Sequence, residues 1–189
     1  MAQNKKMIIR SMSCKNKVWA IRNVSSLKKA LVISKEVLNT MDSLYRENLF
    51  ETNSEGSRLD AFRHIYWMYS LASEIGIEKS RRIGLIYEDY NQYVFSVRSC
   101  SGYDLAGRLM DEYNNELGLY LFSKMGVREK EEVFEEIMNL ISRGCARIVA
   151  KDKLQRSLDV NNNVIPESEW KSQWNNNRCL IKSNKSICE

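Results

Sequence analysis

The sequence predicts a mainly α protein, a single compact bundle of about five helices with a small C-terminal β-hairpin, on three observations. Its 189 residues suit one hydrophobic core better than two. Proline and glycine are expensive inside helices, and one proline, Pro166, and eight glycines are few enough to permit long ones. Apolar residues also recur at three- and four-residue steps over successive stretches, the period of an amphipathic helix.

The first helix is expected over Ser25 to Leu49, where Leu27, Leu31, Leu38, Met41 and Leu44 keep that period and Val32, Ile33 and Val37 fill its one wide interval. Polar residues from Glu51 to Gly56 form a loop. Ser57 followed three residues later by Asp60 has the form of a capping box, which starts a second helix that Gly76 stops after Ile75. A third, shorter than the second, is expected from Glu78 to Gln92 with Ile83, Ile86, Tyr87 and Tyr90 on one face. Ser101 and Asp104 repeat the start signal for a fourth helix reaching Gly126. A fifth runs from Glu129 to Arg143, buries Val133, Phe134, Ile137, Leu140 and Ile141, and has Gly144 just past its end. Beyond it, residues 146–150 and 157–160 are partly β-branched and Asn161-Asn162-Asn163 is turn chemistry, which predicts the hairpin. Trp170 and Trp174, four residues apart, would anchor the last segment on the core.

The net charge of +5 is unevenly spread. Residues 1–35 carry nine Lys or Arg and no acid, and the remainder carries 20 bases against 24 acids. Residues 1–24 therefore read as a basic arm and 25–189 as the helical domain. Such an arm is either a solvated tail or a contact for an anionic ligand, a nucleic acid or an anionic lipid. Five cysteines form no CxxC pair, which argues against a structural zinc site; Cys179 and Cys188 could bridge in an oxidising compartment or remain free thiols. No apolar run approaches the roughly 18 residues of a transmembrane segment, so the chain as written reads as soluble. Polar residues from Cys14 to Lys17 interrupt any export signal after Lys5, Lys6 and Arg10, leaving secreted, periplasmic and cytoplasmic locations open.

Candidate chemistry centres on the single histidine, His64. On a helix Asp60 lies one turn before it, so its carboxylate can orient the imidazole as a general base; equally, Asp60 can be a helix cap and His64 a satisfied core residue. Arg63 either stacks on Trp67 or binds an anionic group in a bidentate manner. In the fourth helix Asp111, Asn114, Asn115 and Gly118 form one stripe bordered by Leu105, Tyr113, Leu117 and Tyr120. Asparagine and glycine are weak helix formers, so this stripe points to the close approach of another helix or a ligand. Glu88 and Asp89 either lie on an exposed acidic face or join His64 and Asp111 around a divalent metal ion, for which one imidazole and several carboxylates suit Mg²⁺, Mn²⁺ or Ca²⁺ better than catalytic zinc.

The segments DAFRHIYW and MDEYNNELG, some 45 residues apart, together with the tail around Trp170 to Trp174 and Cys179-Leu180, resemble an uncharacterised family of bacterial domains. Its pattern is Asp-Ala-(Phe/Tyr)-Arg-His-x-x-Trp, a His-Glu pair, then Met-Asp-x-x-Asn-Asn-x-x-Gly, and it occurs in stand-alone proteins of Bacteroidetes and at the C-termini of Rhs-type polymorphic toxins. The likeness spans roughly Asn53 to Asn184. It marks Asp60, Arg63, His64, Trp67, Glu88, Asp111, Asn114, Asn115 and Gly118. The histidine expected before Glu88 is Tyr87 here, which removes a second imidazole.

These residues lead to an effector or toxin-like hydrolase acting on a phosphoester or lipid ester, with His64, Asp60 and Asp111 catalytic and Arg63, Trp67, Asn114, Asn115 and Glu88 holding substrate. The alternative is a non-enzymatic binding, accessory or immunity-like partner of a secretion or toxin system, in which the same groups form a buried network. Either way the helix bearing Asp60 to Trp67 should pack on the one bearing Asp111 to Gly118, with His64 within reach of Asp111 or Asn115 and Gly118 marking the close approach.

Overall fold

The computed structural model describes residues 2–98 and 102–188. Among them the chain forms α1 (Ala2–Ser11), α2 (Cys14–Arg22), α3 (Val24–Arg46), α4 (Arg58–Ile75), α5 (Ile77–Val97), α6 (Leu105–Met125), α7 (Lys130–Ser142), β1 (Arg147–Val149), α8 (Glu167–Trp170) and β2 (Leu180–Lys182). The five long helices, α3 to α7, are the expected bundle. The basic N-terminal segment is helical too: α1 packs on α5, and Arg82 of α5 donates to the Asn16 side chain of α2 at 3.1 and 3.2 Å while lying over Trp19.

α4 is the central helix, packed against α3, α5, α6, α7 and β1. Its sequence explains this, because Leu59, Phe62, Ile65, Met68, Leu71 and Ala72 spread over most of its circumference, leaving one polar stripe with Arg63, Ser70 and Glu74, and so wide an apolar surface must be covered on several sides. Ser57 caps it by accepting the Asp60 backbone N–H, and Gly76, at φ +83°, ends it where the sequence places the stop. Asp60 does not complete a reciprocal capping box; its Oδ2 accepts the Gly56 N–H at 2.7 Å. Gly56 stands at φ +76°, and its carbonyl accepts Val149 N–H, tying this loop to β1.

Three expectations are corrected. α5 has 21 residues against 18 for α4, so it is the longer; its apolar period continues through Val94, past the polar Glu88 to Gln92 stretch where the sequence suggested an end. α6 is capped by Asp104, whose side chain accepts the Gly107 N–H at 2.7 Å, while Ser101 lies outside the described residues. The small C-terminal sheet is present and antiparallel, but β1 takes the tail strand β2 as its partner. Residues 157 and 158 contribute only isolated bridges to Lys151 and Val164. Both segments bury a core residue, Leu158 and Ile181, and a Cys179–Cys188 disulfide pins the end of the tail strand. Trp170 is buried, and Trp174 stands edge-on to Phe95 and accepts Leu105 N–H through its carbonyl, so both tryptophans anchor the tail. Among the described residues no helix is long and apolar enough to cross a membrane.

Candidate functional site

Helices α4 and α6 cross in close contact at Gly118. A Cβ built there would stand 2.3 Å from the carbonyl oxygen of Ile65, so only glycine permits this approach. One turn away the two helices exchange polar groups. His64, with no exposed surface, holds Asn115 Oδ1 through Nδ1 at 3.0 Å, and its Nε2 lies 3.0 Å from Asp111 Oδ1. Both are partners foreseen from the sequence.

Asp60 has a different role from the one expected. Its Oδ1 is 3.8 Å from His64 Nε2, beyond hydrogen-bonding range, because Arg63 intervenes. Arg63 donates to Asp60 Oδ1 through Nε at 2.8 Å and Nη2 at 2.5 Å, and the same Nη2 is 2.7 Å from His64 Nε2. A guanidinium can only donate, so Nε2 is the acceptor and Nδ1 carries the proton given to Asn115. With the ring neutral, Asp111 Oδ1 has no hydrogen-bond donor among the described residues; a proton on Nε2 would supply one at 3.0 Å.

The charges follow from this packing. Burial opposes a charge on Asp60, yet Arg63, His64 and the Gly56 N–H outweigh it and lower its pKa. Burial raises Asp111, even with His64 beside it. For His64 burial favours the neutral ring, but Asp111 and Asp60 together prevail and raise its pKa. Asp111 and His64 thus form a couple that takes up a proton readily.

In front of them opens a cavity of about 290 Å³, lined by Asp60, Arg63 and Asp111 but not by His64. Its walls are partly apolar, from Leu38, Met41, Leu59 and Val149, and partly aromatic, from Tyr87, Tyr103 and Trp174. Tyr87, in the place of the patterned histidine, stands edge-on to Trp67, and burial pushes its hydroxyl up to about 12, so it remains a donor. Glu88 also lines the cavity, with 1% of its surface exposed. It is therefore no part of an exposed acidic face. Asp89 is: half-exposed, it pairs with Arg108 at 3.2 Å.

Two residues marked by the sequence turn away. Asn114, fully buried, donates to Arg147 O at 2.9 Å and accepts Arg147 N–H at 3.0 Å, fastening β1 to α6 as a neighbouring strand would. Trp67 gives its indole N–H to Ser34 Oγ at 2.9 Å and joins the core. Others were not foreseen. Asn91, 4% exposed, follows Glu88 by three residues on α5, the spacing that could have disclosed it. Asp104 and Arg178 form a buried ion pair at 2.7 Å across the far wall, with Arg178 stacked 4.1 Å over Trp170; 74 residues separate the two, and no local pattern signals that.

Asp60 Oδ1, His64 Nε2 and Asp111 Oδ1 lie within 4.8 Å of one another, a group that could hold a metal ion. Their N/O/O donor set is suitable. The guanidinium nitrogen of Arg63 already stands 2.5 and 2.7 Å from two of these atoms, so an ion would enter only as Arg63 withdrew.

No curated protein and no solved structure matches this chain. A family described as a domain of unknown function (DUF6973) matches residues 17–145, which include every residue of the α4–α6 site, and the chain belongs to that family.

Proposed function

We propose that this protein is an ester hydrolase in which the Asp111–His64 couple accepts a proton from water. The observation that carries this reading is the buried Asp111 Oδ1, 3.0 Å from Nε2 of a fully buried histidine, which among the described residues gains a hydrogen-bond donor only when that nitrogen carries a proton. Leaving a buried acceptor unpaired costs about 1–3 kcal/mol, a cost that a functional role explains. His64 has no exposed surface, so the sequence-based assignment of His64 as the group meeting water becomes a shared one. Asp111 touches the water, and His64 behind it stabilises the proton taken up, with Asn115 fixing the ring tautomer.

The substrate fits best as a neutral, lipid-like carboxylic ester. Arg63, Arg108 and Arg178, the arginines lining the cavity, are each engaged by a carboxylate of the protein. Six acidic residues line it as well, Asp42, Glu55, Asp60, Glu88, Asp104 and Asp111. A phosphoester would meet these carboxyl groups with no unpaired arginine among the described lining residues. Apolar and aromatic walls accommodate the acyl or alcohol part of an ester.

A divalent ion, Mg²⁺, Mn²⁺ or Ca²⁺, is the second reading, favoured by the convergence of Asp60, His64 and Asp111. It would make a phosphoester substrate workable, and it requires Arg63 to leave.

The test is hydrolysis of p-nitrophenyl esters by the full chain and by Asp111→Asn and His64→Gln. Removing one positioned base should lower kcat by about 10²–10⁴-fold in Asp111→Asn at an unchanged melting temperature. Full activity in Asp111→Asn would reject the assignment, and loss of melting temperature alone would support a structural network.

A further inference from the structure

We propose that Glu88 is the proton donor of this site, protonating the oxygen of the departing alcohol while the Asp111–His64 couple takes the proton of the attacking water. The assignment rests on the ester-hydrolase reading and gives it its second half.

Glu88 sits on α5 in the cavity wall, 1% exposed. Its Oε2 accepts Asn91 Nδ2 at 3.1 Å; its Oε1 is buried with no hydrogen-bond partner among the described residues. Asn91 Oδ1, in the same wall, has none either. Among the described residues no arginine of the cavity pairs with Glu88. Arg63 is given to Asp60 and His64, Arg108 to Glu112 and Asp89, and Arg178 to Asp104.

A protonated carboxyl resolves the difficulty. It carries no charge to bury, keeps Oε2 as acceptor for Asn91, and turns Oε1 into an O–H donor. The charged and titratable groups around it are Asp111 from α6, His64 and Arg63 from α4, Tyr87 beside it on α5 and Tyr103 in the loop before α6. Burial first and Asp111 second push its pKa up to about 8, so at neutral pH the proton is present and can still be given up.

In the step, the water oxygen bonds to the ester carbon as the carbonyl π pair moves onto its oxygen, and a proton of the water passes to the Asp111–His64 couple. The carbonyl double bond then re-forms as the carbon–oxygen bond to the alcohol breaks, its electron pair goes to the alcohol oxygen, and that oxygen takes the Glu88 proton. The products are a carboxylic acid and an alcohol. Glu88 is left as a carboxylate and the couple holds one extra proton, so return of one proton to Glu88 restores the site.

Glu88→Gln tests this, because glutamine has the shape and neutrality of the protonated acid but no proton to transfer. The full chain and the variant are compared on a p-nitrophenyl ester, whose alcohol leaves unaided, and on the ethyl ester of the same acid, whose alcohol does not. The expected result is a loss of about 10²-fold or more on the ethyl ester. On the p-nitrophenyl ester the loss should be smaller by about tenfold or more. Equal loss on both esters, or none on either, overturns the proposal.

Melting temperature against pH, without substrate, provides a second readout. A raised folded pKa means that stability present below the unfolded value of about 4.3 is lost as pH rises to the folded value. The variant should therefore gain on the wild type from about pH 4.3 up to about pH 8 and no further. A constant difference across that window overturns the proposal. Wild-type ethyl-ester hydrolysis that fails in Asp111→Asn yet is unchanged in Glu88→Gln sinks the donor role alone. No hydrolysis of any ester by the wild type sinks the hydrolase reading, and the donor role with it.

Discussion

Gly118→Ala is the sharpest test of how the site is built, because it adds one methyl group at the contact that holds α4 and α6 together. In an isolated helix the change is favourable by about 1 kcal/mol. Here the new Cβ would lie 2.3 Å from Ile65 O and 3.0 Å from Ile65 C and Cα, and ordinary contact begins near 3.4 Å. The obstacle is backbone, so no side-chain rotation relieves it, and the helices must part by about 1 Å. Overpacking of this kind costs about 3 kcal/mol, which leaves a net loss of about 2 kcal/mol after the propensity gain. For a chain of this length that is a fall of roughly 4–8 °C in melting temperature, measurable by calorimetry or circular dichroism. The same displacement would stretch the 3.0 Å contact between His64 and Asn115, so activity per folded molecule should fall as well. A variant as stable as wild type, or more so, would refute the close-approach account.

Asp60→Asn should cost about 3 kcal/mol at neutral pH, since it leaves Arg63 partly buried without its partner. A lowered carboxyl pKa stabilises above the unfolded value of about 3.9 and ceases to as pH falls through the folded value, so the gap between variant and wild type in urea melts should close on acidification; a gap constant to low pH would contradict the ion pair. Asn114→Leu should lower the melting temperature while leaving kcat unchanged, because it strips two hydrogen bonds from Arg147 and touches no cavity wall; selective loss of kcat would return Asn114 to the substrate. Mn²⁺ should not shift the melting temperature of the wild type and should raise that of Arg63→Met, where the place among Asp60, His64 and Asp111 is vacated; a dose-dependent shift in the wild type would favour the metal reading.

Features whose causes lie within a few residues were readable from the sequence. The start of α4 needs only Ser57 and the Asp60 N–H, its end only Gly76, and the period of α3 and α7 only neighbours three and four apart. The stripe on α6 was legible for the same reason, and Gly118 marks the close approach that stripe predicts. The partner of β1 was not. Residues 157–160 have strand-like chemistry and bury Leu158, but β1 pairs with a strand further along the chain that is tied at Cys179, and a local window does not show that.

The site itself was legible as a set of residues and illegible as a set of pairings. Helical spacing placed Asp60 one turn from His64 and suggested that they bond, yet spacing says nothing of a third group that competes for the same oxygen. Arg63, adjacent to His64 in the chain, reaches back three residues to Asp60 and so displaces that bond. His64 is left to Asp111 and Asn115, 47 and 51 residues away. Glu88 shows the same limit from the opposite side. Its neighbours in sequence made an exposed acidic face plausible, and what decides otherwise is the rotation of α5 that buries Glu88 and Asn91 while leaving Asp89 at the surface. That rotation is set by Ile83, Ile86 and Val94, which must face the core, and it makes burial of Glu88 a consequence of packing chosen elsewhere along the helix. A carboxyl group forced inside in this way must either find a cation or keep its proton, and with the cavity's arginines engaged by other carboxylates the second course is the one open to it.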